Sequence, residues 1–294
     1  MSEGDDMEHA QGGYYVPHGS KWPIIATVGL FLMVVGASMM FNGYAPGTWV
    51  LLTGVVVTLY MVFGWFGTVI SESQAGLYNA QVDRSFRWGM GWFILSEVMF
   101  FAAFFGALFY VRMLALPWLG GEGTGLATHL FLWPDFEAAW PTGGPMELGG
   151  AFETIGAWGI PALNTAILLT SGVTITWAHW GLKENKRNHL IWGLAATVAL
   201  GLIFLGFQAY EYGHAYRDLN LTLASGIYGS TFFMLTGFHG LHVTLGVIML
   251  IVILIRSIKG HFTPHEHFGF EAVAWYWHFV DVVWLILFVF VYWI

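Results

Sequence analysis

The chain of 294 residues contains no cysteine. This absence excludes disulfides, thiolate metal sites, iron–sulfur clusters and cysteine nucleophiles. Any metal bound by this chain must therefore be held by histidine and carboxylate side chains. The sequence predicts neither a metal site nor a catalytic residue in this chain.

Charged residues are also scarce. They make up 10% of the sequence, against 57% apolar residues, whereas soluble domains carry about 25% charged residues. So few charges cannot cover the surface of a water-soluble globule, so the apolar excess indicates a lipid environment. A net charge of −8 without a cluster of basic residues argues against nucleic acid as a partner.

Long apolar runs predict an all-α polytopic membrane protein. Seven runs are long enough to cross a hydrocarbon layer, which takes about 20 helical residues. They cover residues 22–41, 48–70, 88–114, 158–181, 190–211, 226–256 and 272–293. Residues 1–21 read as a polar tail that is not cleaved, because they are acidic where a signal peptide is basic. Residues 71–87 connect the first two spans to the other five, and residues 115–157 form a long loop.

The distribution of Lys and Arg predicts the orientation, since these residues are retained on the cytoplasmic side in short loops. An N-terminus inside puts eight basic residues inside and two outside. The inside set is Lys21, Arg84, Arg87, Lys183, Lys186, Arg187, Arg256 and Lys259, and the outside set is Arg112 and Arg217. We therefore expect the N-terminus inside, the long loop outside and the C-terminus outside, in a bacterial cytoplasmic membrane.

Glu97 is the first candidate functional residue, because an ionisable group within a span is costly. It lies nine residues beyond Trp88, or about 14 Å into the layer. Its neighbours on the same helix offer no charged partner. We expect a protonated carboxyl group unless another span supplies a partner. Both a functional role and a structural hydrogen bond remain possible for Glu97.

Asp281 reaches the same depth and could face Glu97, although pairing with His278 one turn away is the simpler interpretation.

Histidines in the later spans raise the possibility of a metal or heme site. His239 and His242 share one helical face, but His242 lies about 21 Å from the inner end of its span and His278 about 9 Å from its own. Axial ligands of one heme would have to match in depth, so we interpret these side chains as structural. Glu211 and His214 resemble half of a di-iron motif without a second copy. For His265, Glu266 and His267, which lie in a loop, headgroup contact or chance is favoured over metal binding.

The loop after the sixth span combines Arg256, Lys259, His261 and Thr263. Two cations, an imidazole and a hydroxyl beside the headgroup layer suit a lipid phosphate. Ordinary anchoring by positive residues is the alternative.

Several long runs resemble cytochrome c oxidase subunit III. They are RWGMGWFILSEVMFF at 87–101, LNT at 163–165, SGVTITWAH at 171–179, YGSTFF at 228–233, GFHGLHV at 237–243, HFGFE at 267–271 and AWYWHFVDVVW at 274–284. The first two spans match this family more loosely, and the long outside loop departs from its compact members.

The resemblance implies an accessory subunit of a proton-pumping oxidase, with no redox centre of its own. Heme and copper are then expected in subunits I and II, with packing mainly on subunit I and cytochrome c as the electron donor. A two-helix pair and a five-helix bundle are expected to enclose a lipid-filled cleft. Phospholipid is expected near Glu72, Arg256, Lys259, His261 and Thr263. Glu97 would be a carbodiimide-reactive carboxylate in a subunit that sustains proton uptake and protects against turnover inactivation.

Two further classes and one relative remain open at this stage. A proton-coupled transporter would use Glu97, Asp281 and the histidines as a relay, but the outer half of the spans offers no acid except Glu211. A heme-bearing electron carrier would need histidines at matching depth. A related quinol oxidase would have a shorter subunit III without the first two spans, both of which are present here.

Overall fold

The computed structural model describes Tyr15, residues 19–147 and residues 149–294, so most of the polar tail lies outside the described residues. The described residues form helices and contain no strand. The long helices are α1 (Trp22–Phe41), α2 (Gly47–Gln74), α3 (Ala80–Tyr110), α6 (Ile160–Lys183), α7 (Arg187–Arg217), α8 (Gly226–Lys259) and α9 (Phe268–Leu287). Shorter pieces are a π-helix (Val111–Ala115), α4 (Leu116–Leu119), a 3₁₀ turn (Gly123–Gly125), α5 (Leu126–Leu132) and a π-helix (Phe288–Trp293).

Seven of these helical segments are long and apolar enough to cross a membrane, which confirms the predicted number of spans and the all-helical class. Several of their ends extend beyond the apolar runs, whereas the ends of α1 coincide with them. Helix α3 starts at Ala80 rather than at residue 88, because the Asn79 side chain accepts hydrogen bonds from the backbone N–H groups of Gln81 and Val82 at 3.1 and 3.0 Å. The polar stretch 71–87 is therefore helical except for residues 75–79.

The chain divides into two compact units, Met1–Phe86 and Arg87–Ile294. In the first unit, α1 and α2 are joined by a short turn and pack closely through glycines. A Cβ atom at Gly54 would lie 2.6 Å from the backbone nitrogen of Met33, and one at Gly36 would overlap the backbone of Leu51. Small residues that let helix backbones approach are typical of helix pairs in membranes.

The core of the second unit is built around α9. Trp277 and Trp284 are almost fully buried there. Their indole N–H groups donate to Ser171 Oγ at 2.8 Å and to Thr165 Oγ1 at 2.9 Å, both on α6. The central helix is thus fixed to its neighbour by hydrogen bonds as well as by packing.

The long loop is tied to the turn between α7 and α8. The Asn220 amide donates to the carbonyl oxygens of Gly149 and Ala151 at 3.1 and 2.9 Å, and the Glu153 backbone N–H donates to Leu219 at 2.9 Å. These contacts give the loop a structural role.

Candidate functional site

The carboxyl group of Glu97 projects from the middle of α3 and has a partner on another span. Its Oε2 lies 2.8 Å from Nε2 of His242 on α8. The side chains of Glu97 and His242 are 22% and 11% exposed, so both are largely withdrawn from the surface. The sequence predicted Glu97 as a candidate but not this partner.

The hydrogen bonds of His242 fix how many protons this pair holds. Its Nδ1 lies 2.6 Å from the carbonyl oxygen of Phe238, an atom that can only accept, so Nδ1 carries a proton. One further proton is then shared between His242 Nε2 and Glu97 Oε2. Either the carboxylic acid donates to a neutral imidazole or an imidazolium donates to a carboxylate. The proton can move between these two atoms without changing the charge of the pair.

Aromatic rings surround the imidazole of His242. Those of Phe100, Phe101, Tyr276 and Phe279 lie with their centroids 5.9, 5.0, 6.4 and 6.4 Å from it. Rings at this distance exclude water and lower the local dielectric constant, which makes a lone ionised group costly. The carboxyl–imidazole hydrogen bond avoids that cost.

Asp281 forms a separate pair and does not face Glu97. Its Oδ2 lies 3.7 Å from Nδ1 of His278, one turn away on α9. The same oxygen would lie 2.6 Å from a Cβ at Gly172 on α6, so the glycine leaves room for the carboxylate. His278 also lies 3.4 Å from Thr176 Oγ1 through Nε2.

The remaining candidates in or near the spans have hydrogen-bond partners within the chain. His239 is buried, and its Nε2 donates to the Val280 carbonyl oxygen at 3.1 Å. The Glu211 carboxylate accepts from the Tyr292 hydroxyl at 2.6 Å. His214 pairs with Asp218 at 2.7 Å. The structure therefore does not bring Glu211 and His214 together as ligands of one metal.

Basic side chains gather at the C-terminal end of α8. The Arg256 guanidinium lies 4.4 Å from the ring centre of Phe262, and Lys259 is exposed in the last turn. Partial burial and the charges of Arg256 and Lys259 together lower the pKa of His261. Arg187, which the sequence did not single out, donates to the Ile258 carbonyl oxygen at 2.5 Å. This end of the helix offers positive charge to an anion.

Thr263 and Glu72, two further positions that the resemblance assigned to lipid, have partners within the chain. The Thr263 hydroxyl accepts from the backbone N–H of Glu266 at 3.0 Å. Glu72 lies in α2, in the first unit, where its carboxylate accepts from the Tyr78 hydroxyl at 2.7 Å. Partial burial and that hydrogen bond raise the pKa of Tyr78.

Seven membrane-spanning helices, with an acid–imidazole pair between two of them, define an integral membrane protein of the helical class. The family model for cytochrome c oxidase subunit III matches residues 12–294. The chain is 42% identical to cytochrome c oxidase subunit 3 of Antilope cervicapra over 292 residues, covering 98% of this chain and 99% of the antelope protein. It is 41% identical to the protein of the same name from Pelea capreolus, with the same coverage.

The chain belongs to the cytochrome c oxidase subunit III family. It is therefore a subunit of an oxidoreductase complex, and such a subunit assembles with other subunits of the oxidase. Membership of this family favours an oxidase subunit over the two other classes that the sequence left open, a transporter and a heme-bearing electron carrier.

Proposed function

We propose that this chain is an accessory subunit of a proton-pumping cytochrome c oxidase and sustains proton uptake without holding a redox centre. In this proposal heme and copper belong to subunits I and II, subunit I is the main packing partner, and cytochrome c supplies electrons. The observation that carries the proposal is the pairing of Glu97 with His242. It provides one transferable proton in an apolar setting, and both nitrogens of His242 are already engaged.

In this proposal the pair responds to charge in the neighbouring subunit by moving a proton between its own two members, and it is not a catalytic group. When the proton moves from Glu97 Oε2 to His242 Nε2, the neutral pair becomes an ion pair without exchange with water. This response to nearby charge suits a group that supports proton uptake by a neighbouring subunit during turnover. Slow proton uptake would prolong the lifetime of reactive intermediates in the partner subunit. By sustaining proton uptake, the pair would therefore protect the enzyme against inactivation during turnover.

The proposal is tested with Glu97→Gln in the assembled oxidase. In this variant the Gln amide donates to His242 Nε2 but holds no acidic proton. Because heme and copper are proposed to lie in other subunits, oxygen reduction should begin at the normal rate. Proton uptake should then slow, or the number of turnovers before inactivation should fall. Carbodiimide should label Glu97 in the unchanged enzyme in preference to loop acids, because it attacks a protonated carboxyl group.

The matched control is Glu122→Gln, which changes an exposed loop acid and should leave both the lifetime and the labelling unchanged. Loss of oxygen reduction from the first turnover, with normal heme spectra, would make Glu97 an obligatory proton carrier. A lifetime equal to that of the control would leave the pair with a structural role.

We further propose that the basic end of α8 binds anionic phospholipid. The support is the combination of Arg256, Lys259 and His261 beside an aromatic ring.

Each basic residue near a headgroup contributes about 1 kcal/mol toward the binding of anionic lipid. Replacing Arg256 and Lys259 together by Ala should therefore remove tightly held lipid, while the complex still assembles. Native mass spectrometry of the complex measures the retained lipid. The control removes two charges elsewhere, with Lys183 and Lys186 changed to Ala, and equal lipid in both variants contradicts the proposal.

A further inference from the structure

Three potential metal ligands meet where α6 ends and α9 begins. His179 lies near the C-terminal end of α6, His267 immediately precedes α9, and Glu271 lies in the first turn of α9. One ligand atom from each falls within 4.8 Å of the others. The side chains of His179, His267 and Glu271 are 20%, 7% and 11% exposed, so the group is largely buried and His179 is its most exposed member.

The hydrogen bond made by His267 leaves its other nitrogen able to bind a cation. Nδ1 lies 3.1 Å from the carbonyl oxygen of Thr263, which can only accept, so Nδ1 carries the proton. In the neutral ring Nε2 then presents a lone pair. Metal-binding histidines are commonly oriented in this way, with the second nitrogen donating to a backbone carbonyl.

The Nε2 atoms of His267 and of a second histidine, His179, both lie near the same carboxylate oxygen of Glu271. Glu271 Oε1 lies 3.3 Å from His267 Nε2 and 3.5 Å from His179 Nε2. Both Nε2 atoms are buried, and neither makes a hydrogen bond of acceptable geometry. The other carboxylate oxygen, Oε2, is held by Arg87. Arg87 thus orients Glu271 while Oε1 remains with the two imidazoles.

We propose that His179, His267 and Glu271 form a site for a divalent cation of the zinc type. Two imidazole nitrogens and one carboxylate oxygen are a ligand set that zinc accepts, with water in a fourth, tetrahedral position. Ligand atoms about 2.0–2.1 Å from zinc lie about 3.3 Å apart in a tetrahedron, close to the two distances measured to Oε1. The two imidazole nitrogens lie within 4.8 Å of each other, so they approach by up to about 1.5 Å when zinc binds.

The surrounding charges define which cation fits and how tightly. Magnesium and calcium prefer all-oxygen sites, so the two imidazoles favour zinc. Arg87 bonds the carboxylate, and Lys183 lies one turn beyond His179 on α6. Both are positive, so they oppose a second cation and make the site weaker than a structural zinc site. The alternative state is metal-free, with the two imidazoles beside Glu271 at the distances given above. The proposal is independent of the Glu97–His242 pair.

Zinc binding to the assembled oxidase tests the site. Equilibrium dialysis followed by elemental analysis gives the zinc bound per complex as its concentration is raised. His179→Gln and His267→Gln should each weaken the binding of one zinc at least about 10-fold, since even loss of a residue that orients a ligand weakens metal binding 10- to 100-fold. The control is His265→Gln, an exposed histidine in the same loop, which should bind zinc as the unchanged complex does. Equal zinc binding by all four proteins overturns the proposal.

A second measurement needs no variant. Cobalt(II) replaces zinc in tetrahedral sites and then absorbs visible light far more strongly than octahedral cobalt does. The full-length chain in detergent, titrated with cobalt, should develop this absorption at one equivalent and lose it on addition of zinc. A titration that yields only the weak octahedral spectrum contradicts the site, even if the histidine variants fail to assemble.

Discussion

Several buried polar side chains in the five-helix part of the chain are hydrogen-bonded to a partner on another helix. Trp277 donates to Ser171, Trp284 donates to Thr165, and the hydroxyl oxygens of Thr174 and Thr197 lie 2.7 Å apart. In the hydrocarbon layer of a membrane, no water is available to form hydrogen bonds with an unpaired polar group. Each pair therefore fixes the register between two helices, because sliding either helix would leave a donor or an acceptor unpaired.

Ser171→Ala tests one of these pairs at the scale of a single residue. The change leaves the buried indole N–H of Trp277 without an acceptor, which should cost about 1–3 kcal/mol of stability. Thr170→Ala on the same helix is the control. Its exposed hydroxyl bonds only its own helix, to Ala166, so its loss should cost no more than about 0.5 kcal/mol. The melting temperature of the purified complex measures the difference, and equal values would show that the indole finds another acceptor.

Glu97 shows how far sequence reasoning reaches at this scale. Its residue type and depth identify it, since an acid in an apolar span is costly. Its partner His242 was not predicted, because depth was counted along each helix from the end of the span. Helix α8 has 34 residues, or about 51 Å of length, against a hydrocarbon layer of about 30 Å. Length along such a helix is not depth, so only the packed structure shows which residues meet.

The helices themselves were largely predictable, and their ends were not. Apolar runs locate the part of a helix that lies in hydrocarbon, and for α1 the predicted and observed ranges coincide at 22–41. Backbone hydrogen bonding does not stop where the apolar run stops. Helix α7 therefore covers residues 187–217 rather than 190–211, adding polar turns at both ends.

The close approach of α1 and α2 leads to a prediction about an element. Gly54→Ala places a methyl group against the backbone of Met33, so the helices must separate, at a cost of about 1–3 kcal/mol for overpacking. Gly67→Ala is the control on the same helix, where an added Cβ meets nothing within 4 Å. Alanine is the better helix former there, so that variant should be as stable as the unchanged chain. Thermal unfolding and protease sensitivity of the complex distinguish the two, and equal behaviour would show that the pair repacks freely.

At the scale of the whole molecule, seven spans and the distribution of cations together predict a topology. An odd number of crossings places the termini on opposite sides of the membrane. Eight of the ten Lys and Arg residues then lie on the side of the N-terminus, and the positive-inside rule predicts that this side is the inner one. We propose this orientation in a bacterial cytoplasmic membrane. The basic end of α8 and the histidine–glutamate group at the start of α9 both face the cytoplasm in it.

The absence of cysteine allows this topology to be tested directly, because a single introduced thiol is the only one in the chain. Glu122→Cys lies in the long loop and His265→Cys in the connection before α9, and both positions are exposed. In intact cells whose outer barrier has been removed, a membrane-impermeant maleimide should label the first variant and not the second, whereas inverted vesicles should give the opposite pattern. The unchanged chain should remain unlabelled in both. Labelling of the His265 variant from outside would reverse the topology and move the proposed lipid and metal sites to the outer face.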